Sequence, residues 1–83
     1  MMQPFRLALG ELLLDRGAMD GEEVFTTLAP RYEGEGFFSS GAVLQGLQSL
    51  AATGIVREAW GKWSLTRYGE DRVRRNLPKT RQA

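Results

Sequence analysis

Ser39, Ser40, Gln45, Gln48 and Ser49, followed by the cations Arg57, Lys62 and Arg67, are the side chains of this 83-residue sequence with the most chemistry to offer. Their chemistry is recognition rather than bond-making. A glutamine amide pairs a donor with an acceptor and so matches an adenine edge, a serine hydroxyl reaches phosphate or either base type, and Arg or Lys neutralises phosphate. Catalysis lacks its usual groups: with no histidine and no cysteine in the chain, nothing stands ready to activate Ser39 or Ser40, and the commonest zinc ligands are missing. Glu33 and Glu35 lie in a Gly-rich stretch that does not position a carboxylate pair rigidly, and "GEG" lacks the strand and helix of a nucleotide loop. The sequence reads as a non-enzyme with no cofactor and no metal.

The net charge of +1 conceals an asymmetry. Up to Val56 there are three basic residues against seven acidic ones, and from Arg57 onward eight against three. The second half is the end that attracts phosphate. Arg67, Arg72, Arg74, Arg75, Lys79 and Arg81 form a basic strip there, although cations near a helix C-terminus also suit the helix dipole. Glu22 and Glu23 suit a helix N-terminus and would repel a nearby phosphate.

A chain this short buries only about 60–65% of its unfolded surface, which leaves room for one core. A single domain over residues 1–78 with a basic tail over 79–83 is expected. The apolar stretch "PFRLALGELLLDRG" is broken by Arg6 and Glu11, is too short to span a bilayer, and is followed by no cleavage pattern. A cytoplasmic protein with no membrane partner follows as the expectation.

The elements that must position these side chains are written in the spacing. Pro4 opens a first helix whose Phe5, Ala8, Leu9, Leu12 and Leu13 fall on one face until Gly17. Asp20 and Glu23 make a capping box and Met19 with Val24 a staple, so a second helix runs from Gly21 to about Ala29, with a last turn through Tyr32 left open by Pro30. "EGEGFF" reads as a flexible connector. Ser39 caps a third helix to about Thr53, with Val43, Leu47, Leu50 and Ala51 inward and Gly41, Leu44, Gln45, Gln48, Ser49 and Ala52 outward; Gly54 ends it in a left-handed cap. Ile55 to Trp60 and Trp63 to Thr66 read as a hairpin about a Gly61-Lys62 turn, which sets Trp60 opposite Trp63 and Glu58 opposite Leu65 with both indoles on one face. Trp63 belongs to the core, while Trp60 either shields the hairpin or meets a partner. Thr66 then caps a last helix through Asn76, with Tyr68, Val73 and Leu77 as its apolar contacts and Pro78 as its stop.

The string "VLQGLQSLAATGIV", the hairpin, and "WSLTRYGEDRV" resemble the winged helix-turn-helix superfamily, in particular the MarR and PadR groups of bacterial DNA-binding regulators. The residues that carry the resemblance are Leu47, Leu50, Gly54, Ile55, Val56, Trp63, Leu65, Thr66 and Gly69. It covers Asp20 to about Leu77. It implies an α+β, mainly α fold of three helices, a two-stranded wing and a C-terminal helix. It also implies a small transcriptional regulator that binds duplex DNA, with Ser39, Ser40, Gln45, Gln48 and Ser49 at a groove and Arg57, Lys62 and Arg67 on the backbone. The third helix departs from the usual pattern in having no Lys or Arg. Its neutrality keeps a second reading open: an adaptor that binds protein rather than DNA through this helix and Trp60. A homodimer through the first helix is compatible with either.

Overall fold

The computed structural model describes residues 5–76. In chain order the elements are α1 (Phe5–Arg16), β1 (Met19–Asp20), α2 (Gly21–Tyr32), α3 (Ser40–Ala52), β2 (Val56–Ala59), β3 (Lys62–Leu65) and α4 (Arg67–Asn76). The fold is α+β and mainly helical, with one small antiparallel sheet in the order β1-β3-β2. Expectations for Pro4, Leu77, Pro78 and the basic tail lie outside the described residues.

α1 is the central helix. Its residues from Ala8 through Leu13 are all buried, Gly10 and Glu11 among them, rather than one apolar face alone as the spacing suggested. Two glycines explain how helices close around it. A Cβ on Gly46 of α3 would stand 2.6 Å from Leu9 Cδ1, and one on Gly10 would stand 2.7 Å from Val73 Cγ2 of α4. Neither contact admits a side chain, so α3 and α4 approach α1 closely. Val24, Leu28 and Tyr32 of α2, Val43, Leu47 and Leu50 of α3, and Met19 and Val56 of the sheet complete one core with the α1 residues.

The capping box at α2 forms as its residue types require: the Glu23 amide donates to Asp20 Oδ1 at 2.8 Å and the Asp20 amide donates to Glu23 Oε1 at 3.0 Å. Met19 and Val24 are both buried beside it. The helix then continues past Ala29 and Pro30 to Tyr32. Packing accounts for the extra turn, because Tyr32 is buried against Phe5 in an edge-to-face pair with centroids 5.3 Å apart and stacks on Phe38 at 5.5 Å. That burial outweighs the one backbone hydrogen bond Pro30 cannot donate.

The connector is built of turns rather than loose. The Glu35 amide donates to the Tyr32 carbonyl at 2.9 Å and the Phe38 amide to the Glu35 carbonyl at 3.2 Å, which holds Phe37 and Phe38 in the aromatic group.

α3 begins and ends on local chemistry. The Ala42 amide donates to Ser39 Oγ at 3.0 Å. At the other end Gly54 has φ +81°, its amide donates to the Ala51 carbonyl at 3.1 Å and the Ile55 amide to the Leu50 carbonyl at 2.9 Å, the paired bonds of a Schellman cap. Thr66 and Gly69 then clamp α4 onto this corner. The Thr66 hydroxyl accepts from the Gly69 amide at 2.9 Å and donates to the Gly54 carbonyl, while the Thr66 amide donates to the Ile55 carbonyl at 3.0 Å.

The hairpin differs from expectation in register. Val56 pairs with Leu65, Arg57 with Ser64, Glu58 with Trp63 and Ala59 with Lys62, so the turn is Trp60-Gly61 and not Gly61-Lys62. Both turn residues have positive φ, 57° and 77°, the type I′ pattern whose twist suits a hairpin. The shift of two preserves which side chains share a face, hence Val56, Trp63 and Leu65 still look toward the core, but Trp60 leaves that face and stands in water. A third strand was also missed: Met19 pairs with Trp63 and Asp20 with Lys62, giving three strands in place of two.

Candidate functional site

α3 and the hairpin carry most of the candidate side chains. Because Val43, Leu47 and Leu50 point inward, the stripe opposite them is Gly41, Gln45, Gln48 and Ala52, all exposed. Ser39 and Ser40 are exposed at its N-terminal end, with the Ser39 oxygen committed to the cap. Ser49 departs from expectation. It is only half-exposed and faces a groove toward α1 and α4, so it does not share the outward stripe.

Arg57 and Lys62 lie on the sheet face turned away from the core, opposite Val56, Trp63 and Leu65. Their diagonal relation across β2 and β3 puts their Cα atoms roughly 7–8 Å apart, near enough to hold neighbouring anionic groups. Lys62 also has Asp20 as its register partner on the other side, and Asp20 uses its carboxylate to cap α2. Arg67 is exposed at the first position of α4, just beyond the C-terminal end of α3. The candidates therefore do not form one cluster. Ser39 and Ser40 stand at one end of a 13-residue helix and Arg67 past the other, separated by on the order of 20 Å.

The basic strip of α4 is divided among faces. Arg75 pairs with Asp71 at 2.9 Å, and Arg72 sits over the Tyr68 ring, 5.8 Å from its centroid, with Nη1 donating to the Tyr68 hydroxyl at 3.1 Å. Lys79 and Arg81 lie outside the described residues. Arg72 and Tyr68 instead line an open groove of about 570 Å³ with Arg6, Gly10, Leu50 and Val73. Sequence spacing gave no sign of this groove, because its walls come from α1, α3 and α4 together.

Four large hydrophobic side chains are exposed among the described residues, and one of them, Tyr68 at 53%, was expected to be an apolar contact of α4. Trp60 is 99% exposed, Phe37 49% and Leu44 45%. Of these, Leu44 is among the outward positions expected on α3 and Trp60 is the expected partner contact, whereas Phe37 carries no such expectation. Burial raises the Tyr32 hydroxyl above its ordinary pKa, with Arg31 opposing and Glu11 adding to the shift. Tyr32 is a core group and not part of the surface just described.

Comparison with models of known protein families, with curated proteins and with solved structures gives no match to this chain.

Proposed function

We propose that this chain is a winged-helix domain of the transcription-regulator type, which binds duplex DNA by laying α3 in the major groove and the β2–β3 hairpin, as a wing, along the adjacent backbone. The observation that carries the reading is the stripe of Gly41, Gln45, Gln48 and Ala52. It is exposed, uncharged and interrupted by small residues that let the helix approach base edges closely, and its two amides suit adenine. The N-terminal part of such a helix is the part that meets bases, which gives Ser40 and the free hydroxyl hydrogen of Ser39 a role. Arg57, Lys62 and Arg67 supply phosphate contacts from three different elements, β2, β3 and α4, and so fix orientation rather than sequence. The Schellman cap and the Thr66–Gly69 clamp support the winged-helix reading, because they give a physical reason for several of the residues that carry the resemblance. A homodimer would match two half-sites in a palindromic operator.

A second reading has its own observation. α3 bears no cation and exposes Leu44, the surface of a helix that docks on protein. Titration of labelled duplex DNA at low and moderate salt separates the two. Salt-sensitive binding at micromolar concentration supports the DNA reading, and its absence in low salt leaves the adaptor.

A further inference from the structure

Among the described residues Trp60 has almost no neighbour to pack against. At 99% exposure it neither shields the hairpin nor packs on the core. It also gives nothing to the turn it occupies. With φ 57° it holds a left-handed conformation that a bulky side chain rarely adopts, at the first central position of a type I′ turn, where Asn, Asp or Gly is favoured. The turn is closed by other groups: Gly61 has φ 77° and its amide donates to Glu58 Oε2 at 2.8 Å, which folds that carboxylate back onto the hairpin. Neither packing nor turn chemistry accounts for an indole here, and unexplained strain of this kind marks functional tips.

We propose that Trp60 is an aromatic wedge that enters the DNA minor groove and opens a base step, an inference that rests on the duplex-binding function proposed above. Shape favours this partner. A two-residue turn is a narrow convex tip, and the minor groove is a slot about 6 Å wide that admits such a tip and little else. Apolar wedges pushed into that groove unstack neighbouring pairs and kink the duplex. Lys62 follows two residues on and Arg57 lies on the same sheet face, so phosphates on the groove walls have cations to meet while the ring goes between them. The indole N–H is a donor, and the minor-groove edge of an A·T pair offers acceptors only, so flexible TA steps are the preferred point of entry.

The test uses the whole chain with a TA-containing duplex bearing 2-aminopurine, an adenine analogue that brightens when unstacked. Wild type, Trp60→Asn and Trp60→Phe are compared for melting temperature, DNA affinity, salt dependence and 2-aminopurine emission. The wedge requires Trp60→Asn to melt at or above the wild-type temperature, since Asn suits the turn. The same variant should keep the salt slope, lose about tenfold in affinity and abolish the 2-aminopurine signal. Trp60→Phe should retain that signal in part. Wild-type affinity and emission in Trp60→Asn would overturn the wedge while leaving DNA binding intact, and a sharply lowered melting temperature in that variant would overturn it in favour of a structural role. No salt-sensitive binding by the wild type would remove the DNA function, and the wedge with it.

Discussion

Gly69 has room for a hydrogen and nothing larger, because a Cβ there would stand against the carbonyl oxygen of Ile55 well inside van der Waals contact. That carbonyl is backbone and is already held by the Thr66 amide, so it has no easy way to yield. Gly69→Ala should therefore destabilise the fold by on the order of 3 kcal/mol, read as a lowered melting temperature, whereas Ala at an ordinary helical position would change little. Tyr32 sets a different kind of limit. Burial raises its hydroxyl pKa above the ordinary value near 10, so the folded state holds this proton more tightly than the unfolded chain does. The contribution is complete below the unfolded pKa and is lost as pH climbs through the folded one. Alkaline melts of the wild type should fall more steeply above about pH 10 than those of Tyr32→Phe, which keeps the ring contacts without the ionisable group. Parallel curves would contradict the role assigned to burial.

Elements explain why some of this structure was written locally and some was not. The caps at Asp20, Ser39, Gly54 and Thr66 were legible because each rests on a side chain or a glycine within a few residues of the groups it satisfies. Register in the hairpin was not. Gly61 can serve as the first residue of one turn type or the second of another, so turn chemistry admits both registers. The second register comes with contacts that spacing within the hairpin does not show: β1 aligns Met19 with Trp63, and Glu58 accepts from the Gly61 amide within the turn. A two-residue strand that doubles as the cap of α2 carries no periodicity by which to find it. Ser49 was misplaced for a related reason, because α1 and α4 draw its side of α3 into a groove that spacing on α3 alone cannot reveal. The outward stripe survives these corrections. Replacing Gln45 and Gln48 together with Ala should leave the melting temperature nearly unchanged while relaxing preference at the contacted bases by about 1–3 kcal/mol each. Competition binding against a panel of duplexes measures this, and an unaltered preference would remove α3 from the groove.

At the scale of the whole molecule, the charge asymmetry runs along the sequence, while the fold brings some opposite charges together, as where Asp20 is the register partner of Lys62. The acidic first half includes Glu22 and Glu23 at the start of α2, and Glu23 is engaged in the capping box there. Arg57, Lys62 and Arg67 stand exposed around the hairpin and the start of α4. Among the described residues no helix is long and apolar enough to cross a membrane. The amount of charge engaged is measurable without knowing the recognised sequence. If the three cations each neutralise one phosphate, the logarithm of duplex affinity should fall against the logarithm of salt with a slope of roughly −2.7. Arg57→Gln, Lys62→Gln and Arg67→Gln should each make that slope shallower by about 0.9. Measuring the salt slope for the wild type and these variants is the most direct test of the proposed DNA-binding surface. The expected result is a steep wild-type slope that each substitution reduces; a flat slope, or one unchanged in all three variants, would contradict it.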